Sequence, residues 1–301
     1  MGPATEHRSR ARPERPTRLN PSTVRGFRRP EPRVDDLIRA LKSSELGKVR
    51  GEGSRSVMSR SQFDELPQVY EDMFDLDWRV QLEMHSVLSL IGDVTGKSVL
   101  DIGCGSGVYS RRLNELGADR VVGFDASEQM LAHASRIEET KRQGIEYVDE
   151  PPLSDPGSFD LAIGVYVLPY AENYSELVDL CSIAGRTLRP GGRFLTLPIN
   201  PDYDPRAEYY TPYGLRMLDT EPRADASRVR LELRFGRYQE DVIARYWTRP
   251  TLERALHAAG FDSIDWPPYR VSAQGISDRG EQYWRPYLDC PHAALIDCRK
   301  S

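Results

Sequence analysis

Apolar positions along this chain alternate between two spacings. Short continuous runs bounded by turn residues predict buried strands, and runs with three-to-four spacing predict helices. Ser98-Val-Leu-Asp-Ile102 is a run of the first kind. It breaks into Gly103-Cys-Gly-Ser-Gly107, after which a helical pattern runs from about Val108 to Leu116. Arg120-Val-Val-Gly-Phe124 predicts a second strand that ends at Asp125. Ser127 then reads as a helix N-cap, with Met130 and Leu131 on the first turns. A third strand is expected within Gly144 to Pro151, with carboxylates at its end, and a fourth from Ser158 to Val165. The fifth, Leu188 to Leu197, is entered through a Pro-Gly-Gly turn. Strands alternating with helices predict a doubly wound α/β sheet.

The flanks follow other patterns. Gln62 to Ile91 has helical spacing, with Pro67 dividing it into two pieces. After the fifth strand, Pro201 to Thr220 is rich in Tyr, Pro and Asp. Arg228 to Phe235 and Asp241 to Trp247 alternate around a short Gly-containing turn, which predicts a hairpin. Residues of about 201–247 therefore read as an insertion capping the sheet. Arg249 to Gly260 predicts a helix, Phe261 to Trp266 a further strand, and His292 to Arg299 the last strand.

Charge divides the chain. Residues 1–57 carry 14 Lys+Arg against 7 Asp+Glu, and the remainder carries 27 against 39. The first segment is Arg- and Pro-rich with few apolar residues, so a disordered basic extension is expected there. A basic arm for RNA and a transit peptide are the alternatives to an unstructured tail. The domain proper is expected from Met58 to Ser301. Four Cys occur without metal-site spacing, which suits a reducing, cytoplasmic setting with no metal. No apolar run reaches transmembrane length, so no membrane association is expected.

Three glycines in five residues let a backbone turn sharply against a ligand. A dinucleotide fingerprint would need a third Gly at position 108, which is Val108, and a phosphate loop would need a following Lys-Ser/Thr. The observed pattern is Asp101-x-Gly103-x-Gly105-x-Gly107. It is followed by an acid 22 residues after Gly103, by acids after the third strand, and by Leu188-x-Pro-Gly-Gly before the fifth. This ordered set resembles the class I S-adenosylmethionine (SAM) methyltransferases. The resemblance implies their seven-stranded Rossmann-like sheet, SAM as methyl donor, and a cofactor site. In that site Asp101, Gly103, Cys104, Gly105 and Gly107 would surround the methionine half. Asp125, with Ala126 and Met130 beside it, would hold the ribose hydroxyls. Glu150, or its neighbour Asp149, would accept from the adenine amino group, and Val165 would border the site. Tyr70 and Arg79 on the preceding helices would reach the methionine carboxylate.

A narrower resemblance rests on Tyr166-Val-Leu-Pro-Tyr-Ala171, Tyr213-Gly-Leu-Arg216, Ala259-Gly-Phe261 and Gly280-Glu-Gln-Tyr-Trp284. These look like the small-molecule methyltransferases related to the toxoflavin-biosynthesis N-methyltransferase. They imply N-methylation of a small, heteroaromatic acceptor, although Pro169 stands where that group carries Asn. Flat rings suit such an acceptor and can attract a sulfonium through their faces. Tyr166, Tyr170, Tyr246, Trp247, Tyr283 and Trp284 are the expected acceptor contacts, with Tyr166, Tyr170 and Trp247 positioning it. No general base stands out: His85, His133 and His257 fall in helical patterns, and His292 begins the last strand. The acidic domain argues against nucleic acid as substrate. An RNA or protein methyltransferase and a non-catalytic SAM-binding subunit are the rival readings. The sequence does not define an oligomeric state.

Overall fold

The computed structural model describes Met1, Gly2 and residues 67–301, the latter within one compact unit, Val34–Ser301. The expected basic extension and the start of the domain at Met58 lie outside the described residues.

The central sheet is built as the strand patterns require. Its parallel members are β1 (Ser98–Ile102), β2 (Arg120–Phe124), β3 (Glu146–Val148), β4 (Phe159–Val165) and β5 (Leu188–Leu197). Two later strands, β9 (Phe261–Asp265) and β10 (Ile296–Lys300), complete the order β3-β2-β1-β4-β5-β10-β9, with β10 antiparallel to both of its neighbours. β3 is shorter than its sequence pattern. His292 lies ahead of β10 rather than inside it; its carbonyl accepts from the Asn200 N–H.

Alternation along the strands separates two cores. Leu100, Ile102, Val122, Phe124 and Ala162 face one side of the sheet, under α5 (Tyr174–Thr187) and α6 (Arg249–Ala258). Val99, Val121, Leu161, Ile163 and Leu195 face the other. That second side is covered by α3 (Val108–Glu115) and by the N-terminal pieces α1 (Pro67–Met73) and α2 (His85–Ile91). α4 (Glu128–Lys141) follows β2, and its Ser127 hydroxyl accepts from the Met130 N–H at 3.3 Å, as an N-cap should. Between α1 and α2, Arg79–Met84 is a π-helix rather than a continuation of either helix.

The inserted region holds more than a hairpin. β7 (Arg228–Phe235) and β8 (Tyr238–Arg245) pair antiparallel, and β6 (Leu215–Asp219) adds a third strand to make a separate sheet. Two short helices, α7 (Ala273–Arg279) and α8 (Glu281–Asp289), precede β10. Among the described residues, no helix is long and apolar enough to cross a membrane.

Candidate active site

The Gly loop hangs between β1 and α3, tied to β2. The N–H groups of Gly103 and Cys104 both donate to the Phe124 carbonyl, at 2.8 and 2.9 Å. The Gly105 N–H donates to Asp125 Oδ2 at 2.7 Å, and Ser127 N–H donates to Oδ1 at 2.8 Å. Asp125 thus braces the loop and the start of α4 together. Gly103, Gly105 and Gly107 all have positive φ, a region that disfavours side chains. Burial raises the Asp125 carboxyl above its ordinary range, opposed by those backbone donors.

Of the three glycines expected to make room for a ligand, Gly107 makes room for the protein itself. A Cβ there would collide with the Tyr147 hydroxyl, and one at Gly123 would sit 2.8 Å from the same ring. Tyr147, on β3, is therefore packed under the loop through two glycines. Cys104 is buried and lies against Gly123. Asp101 points to the α3 side, where Ser110 Oγ donates to its Oδ2 at 2.6 Å. Burial pushes Asp101 up to about 7, with the Ser110 hydrogen bond opposing and the Asp125 charge adding. Asp149 and Glu150 are exposed just past β3, next to the β2 exit, where Asp125 N–H donates to the Val148 carbonyl. Ala126 is exposed; Met130 is buried against Val69 and Tyr70.

The exit of β4 lies against this loop: a Cβ at Gly103 would come within 3.1 Å of Val167. Val165 ends the strand, and Tyr166 follows with φ 60°, one of three non-Gly residues with positive φ among the described residues. Tyr170, in the short 3₁₀ turn Leu168–Tyr170, hydrogen-bonds with Tyr70 of α1. Burial raises Tyr70 to about 12, opposed by that bond and by the Arg79 charge. Tyr70 and Tyr170 are brought together, whereas the Tyr166 side chain turns toward Glu83 and His292.

The other aromatic expectations are not met. Trp247 is only 2% exposed and packs in the core under α5 and α6, on the opposite side of the sheet from the core that holds Tyr246. Adjacent residues in extended chain face opposite ways, and here Trp247 takes the buried direction. The Tyr246 hydroxyl donates to the Pro201 carbonyl at 3.1 Å, inside the cap. Trp284 is fully buried, its indole N–H donating to the Gly275 carbonyl, and the Tyr283 hydroxyl donates to the Pro212 carbonyl. Tyr283 ties the C-terminal helices to the cap, Trp284 ties α8 to α7, and Tyr246 is held within the cap itself.

Arg79 is likewise committed. It is 2% exposed and pairs with Glu83 at 2.6 Å within the π-helix. Its guanidinium lies over the rings of Phe74 and Tyr166. Glu83 also accepts from Tyr109 at 3.1 Å and from the Tyr166 hydroxyl. Tyr166 stacks on His292, with its hydroxyl 3.3 Å from Nε2, and Tyr287 hydrogen-bonds to Nδ1 at 2.6 Å. Burial, with Arg79 adding to it, drives His292 down to about 3, so the ring is neutral. Glu83 and the His292 contacts were missed by the sequence reading. Glu83 hides within a helical pattern as an ordinary solvated acid would, and no local signal marks it.

A sequence family described as "Methyltransferase domain" matches residues 78–265 of this chain. The chain belongs to this family. It is a class I SAM-dependent methyltransferase with SAM as methyl donor. The methyltransferase is 28% identical over 183 residues to the ubiquinone biosynthesis O-methyltransferase of Acinetobacter baumannii, covering 54% of this chain and 76% of that protein. It is 32% identical over 143 residues to the demethylmenaquinone methyltransferase of Lactococcus lactis, covering 44% and 54% respectively. In fold, it resembles the CcbJ methyltransferase of Streptomyces caelestis, with TM-score 0.53 at 16% identity over 80% of this chain and 98% of that one. The donor set fits SAM: a glycine loop with positive φ and carboxylates at the ends of β1 and β2, suited to one ammonium and two ribose hydroxyls.

Proposed function

We propose that this methyltransferase acts on a small, planar, heteroaromatic acceptor that lies across the carboxyl end of β4. The observation that carries this reading is the Tyr70–Tyr170 pair beside the β4 exit, which meets the Gly loop where Val167 lies against Gly103, with Tyr166 next to it in the chain. In an open α/β sheet, ligands lie beyond the carboxyl ends of the strands, so the acceptor meets the donor there. SAM supplies a methyl group already activated on a sulfonium. The chain's own task is to hold the two reactants in line and exclude water.

On the donor side, Asp101, Gly103, Cys104, Gly105 and Asp125 hold the cofactor, with Glu150 or Asp149 at the adenine end. On the acceptor side, Tyr166 and Tyr170 stack on the planar ring. The resemblance to the toxoflavin group favours nitrogen as the methylated atom. The relatives from A. baumannii and L. lactis bear names of quinone-biosynthesis enzymes, and the former is an O-methyltransferase, so oxygen is the competing target. Transfer of labelled methyl from SAM to a panel of N–H heteroaromatics and phenols tests the reading. RNA and protein fractions serve as rival substrates. Label confined to RNA or protein would overturn it.

A further inference from the structure

Behind Tyr166 lies a polar cluster that packing alone does not explain. Arg79 and Glu83 are both essentially excluded from solvent. A buried ion pair is poor value for stability, because well-packed apolar residues of similar volume commonly do as well or better. The pair sits in a π-helix, a rare geometry found mostly as single turns at functional sites. Tyr166, which reaches it, has a left-handed backbone that a bulky residue adopts only under constraint. His292 is held from both sides, by Tyr287 and Tyr166. Three more buried polar atoms around this cluster have no hydrogen-bond partner: Tyr269 Oη, Trp78 Nε1 and Arg79 Nε. Unpaired polar atoms beside a buried ion pair mark a place where a polar group or water is received.

We propose that Glu83, Tyr166 and His292 form the proton-accepting side of the acceptor site, and that the methylated atom is an oxygen or nitrogen carrying an exchangeable proton. This deepens the small-acceptor reading above and rests on it. Tyr166 directly follows β4 and, unlike Glu83, Tyr287 and His292, keeps part of its surface open, so it is the member through which an acceptor would reach the cluster. Its hydroxyl donates to Glu83 Oε2. With Tyr287 donating to Nδ1, the neutral His292 ring carries its proton on Nε2 and donates it to the Tyr166 oxygen. That oxygen keeps a second lone pair for the acceptor's O–H or N–H. In the step, the acceptor heteroatom forms a bond to the methyl carbon, and the carbon–sulfur bond breaks with its electron pair going to sulfur. The acceptor's proton moves to the Tyr166 oxygen as the Tyr166 proton moves to Glu83. Glu83 ends protonated, and after product leaves the proton returns through the Tyr166 hydroxyl to water entering the acceptor site, which restores the Arg79–Glu83 pair.

The charged and titratable groups facing this path come from each element packed on it. Arg79 shares the π-helix, Tyr109 comes from α3, and Tyr287 from α8. Tyr269 precedes α7, and Tyr210 lies beside His292 in the stretch leading into the cap. Arg79 keeps Glu83 an acceptor, and burial with the Glu83 charge keeps Tyr166 protonated until it relays. His292 acts as a positioning residue, fixing the Tyr166 hydroxyl toward Glu83.

Tyr166→Phe tests the relay, since it keeps the ring and removes only the hydroxyl; Glu83→Gln strands Arg79 and serves as a second variant if it folds. Methyl transfer is measured from pH 6 to 9 on three arms: phenols, N–H heteroaromatics, and tertiary amines or thioethers without an exchangeable proton. In the wild type, kcat on the first two arms should level off above neutral pH. In Tyr166→Phe, kcat should fall about 100-fold and rise about tenfold per pH unit, as solvent hydroxide replaces the relay. Acceptor KM should change little, and S-adenosylhomocysteine affinity by calorimetry should stay within about twofold, since the relay lies off the cofactor loop. Unchanged kcat and pH profile in Tyr166→Phe, with phenols or heteroaromatics turned over, would overturn the relay and leave the small-acceptor reading standing. Turnover confined to tertiary amines or thioethers would also overturn it. Turnover of no arm by the wild type would overturn both readings.

Discussion

At the scale of the residue, Asp101 is a buried carboxyl that we propose pairs with the cofactor, so its protonation state bears on that pairing. Its carboxyl is raised from 3.8 to about 7 because burial outweighs the Ser110 hydrogen bond. The proposed partner is the ammonium of the donor's methionine half, which binds carboxylate and not carboxylic acid. Below about pH 7 the group must lose a proton before it can pair. S-adenosylhomocysteine affinity should then weaken as pH falls, by up to about tenfold per unit. Calorimetry across pH 5–8 checks this, and Asp101→Asn should bind weakly with no slope. The sign for stability is opposite to that of a salt-bridged acid. A folded-state value above the unfolded one stabilises fully below 3.8, and that stability is lost as pH rises through about 7. Asp101→Asn should therefore melt above the wild type at pH 8, and the two should converge toward pH 4. A melting temperature for Asp101→Asn below the wild type at pH 8 would show that the ionised carboxylate is satisfied in the folded protein.

At the scale of the element, the Gly loop is fixed by what packs beneath it. Gly107 carries φ 83° and has Tyr147 where a Cβ would be. Gly107→Ala should cost about 1–2 kcal/mol from the left-handed backbone alone, with the collision added. Adding Tyr147→Ala relieves the collision and not the backbone strain, so the double variant should lose less than the sum of the two single losses. Denaturant midpoints for the four proteins measure that coupling. The link from β8 to α6 is governed by Trp247. At 2% exposure in an apolar core, Trp247→Ala should cost about 3–5 kcal/mol by the usual range for large aromatic truncations. The surviving folded enzyme should keep its acceptor KM. A raised KM with an unchanged melting temperature would return Trp247 to the acceptor site.

At the scale of the whole molecule, charge divides the chain near Met58. The residues before it carry 14 Lys+Arg against 7 Asp+Glu, whereas the rest carries 27 against 39. We expect a chain begun at Met58 to fold and turn over normally. All the motif-bearing strands lie beyond that point. A large drop in turnover, with the circular dichroism spectrum retained, would instead assign the arm a part in the reaction. An acidic domain also repels phosphate-rich polymers, which is consistent with a small acceptor.

The strand, Gly loop and acid pattern is local, so the sequence alone displays it, whereas Gly107 and Arg79 of the expected cofactor set are taken up by packing within the protein. β2, β5 and β7 have the bounds that their apolar runs and turn residues predict, because period and turn chemistry act over a few residues. Asp101, the glycines and Asp125 share one β1–loop–α3–β2 unit, and the parallel pairing of Ile102 with Phe124 brings Asp125 to the loop. The acceptor half was decided by tertiary structure. Glu83, Tyr166, Tyr287 and His292 meet across up to 209 positions of chain through hydrogen bonds that no local pattern encodes. Trp247 and Tyr246 are neighbours in the link after β8 and lie in different cores, because the chain crosses there from the cap to the α6 side of the sheet and only packing decides which side each ring joins.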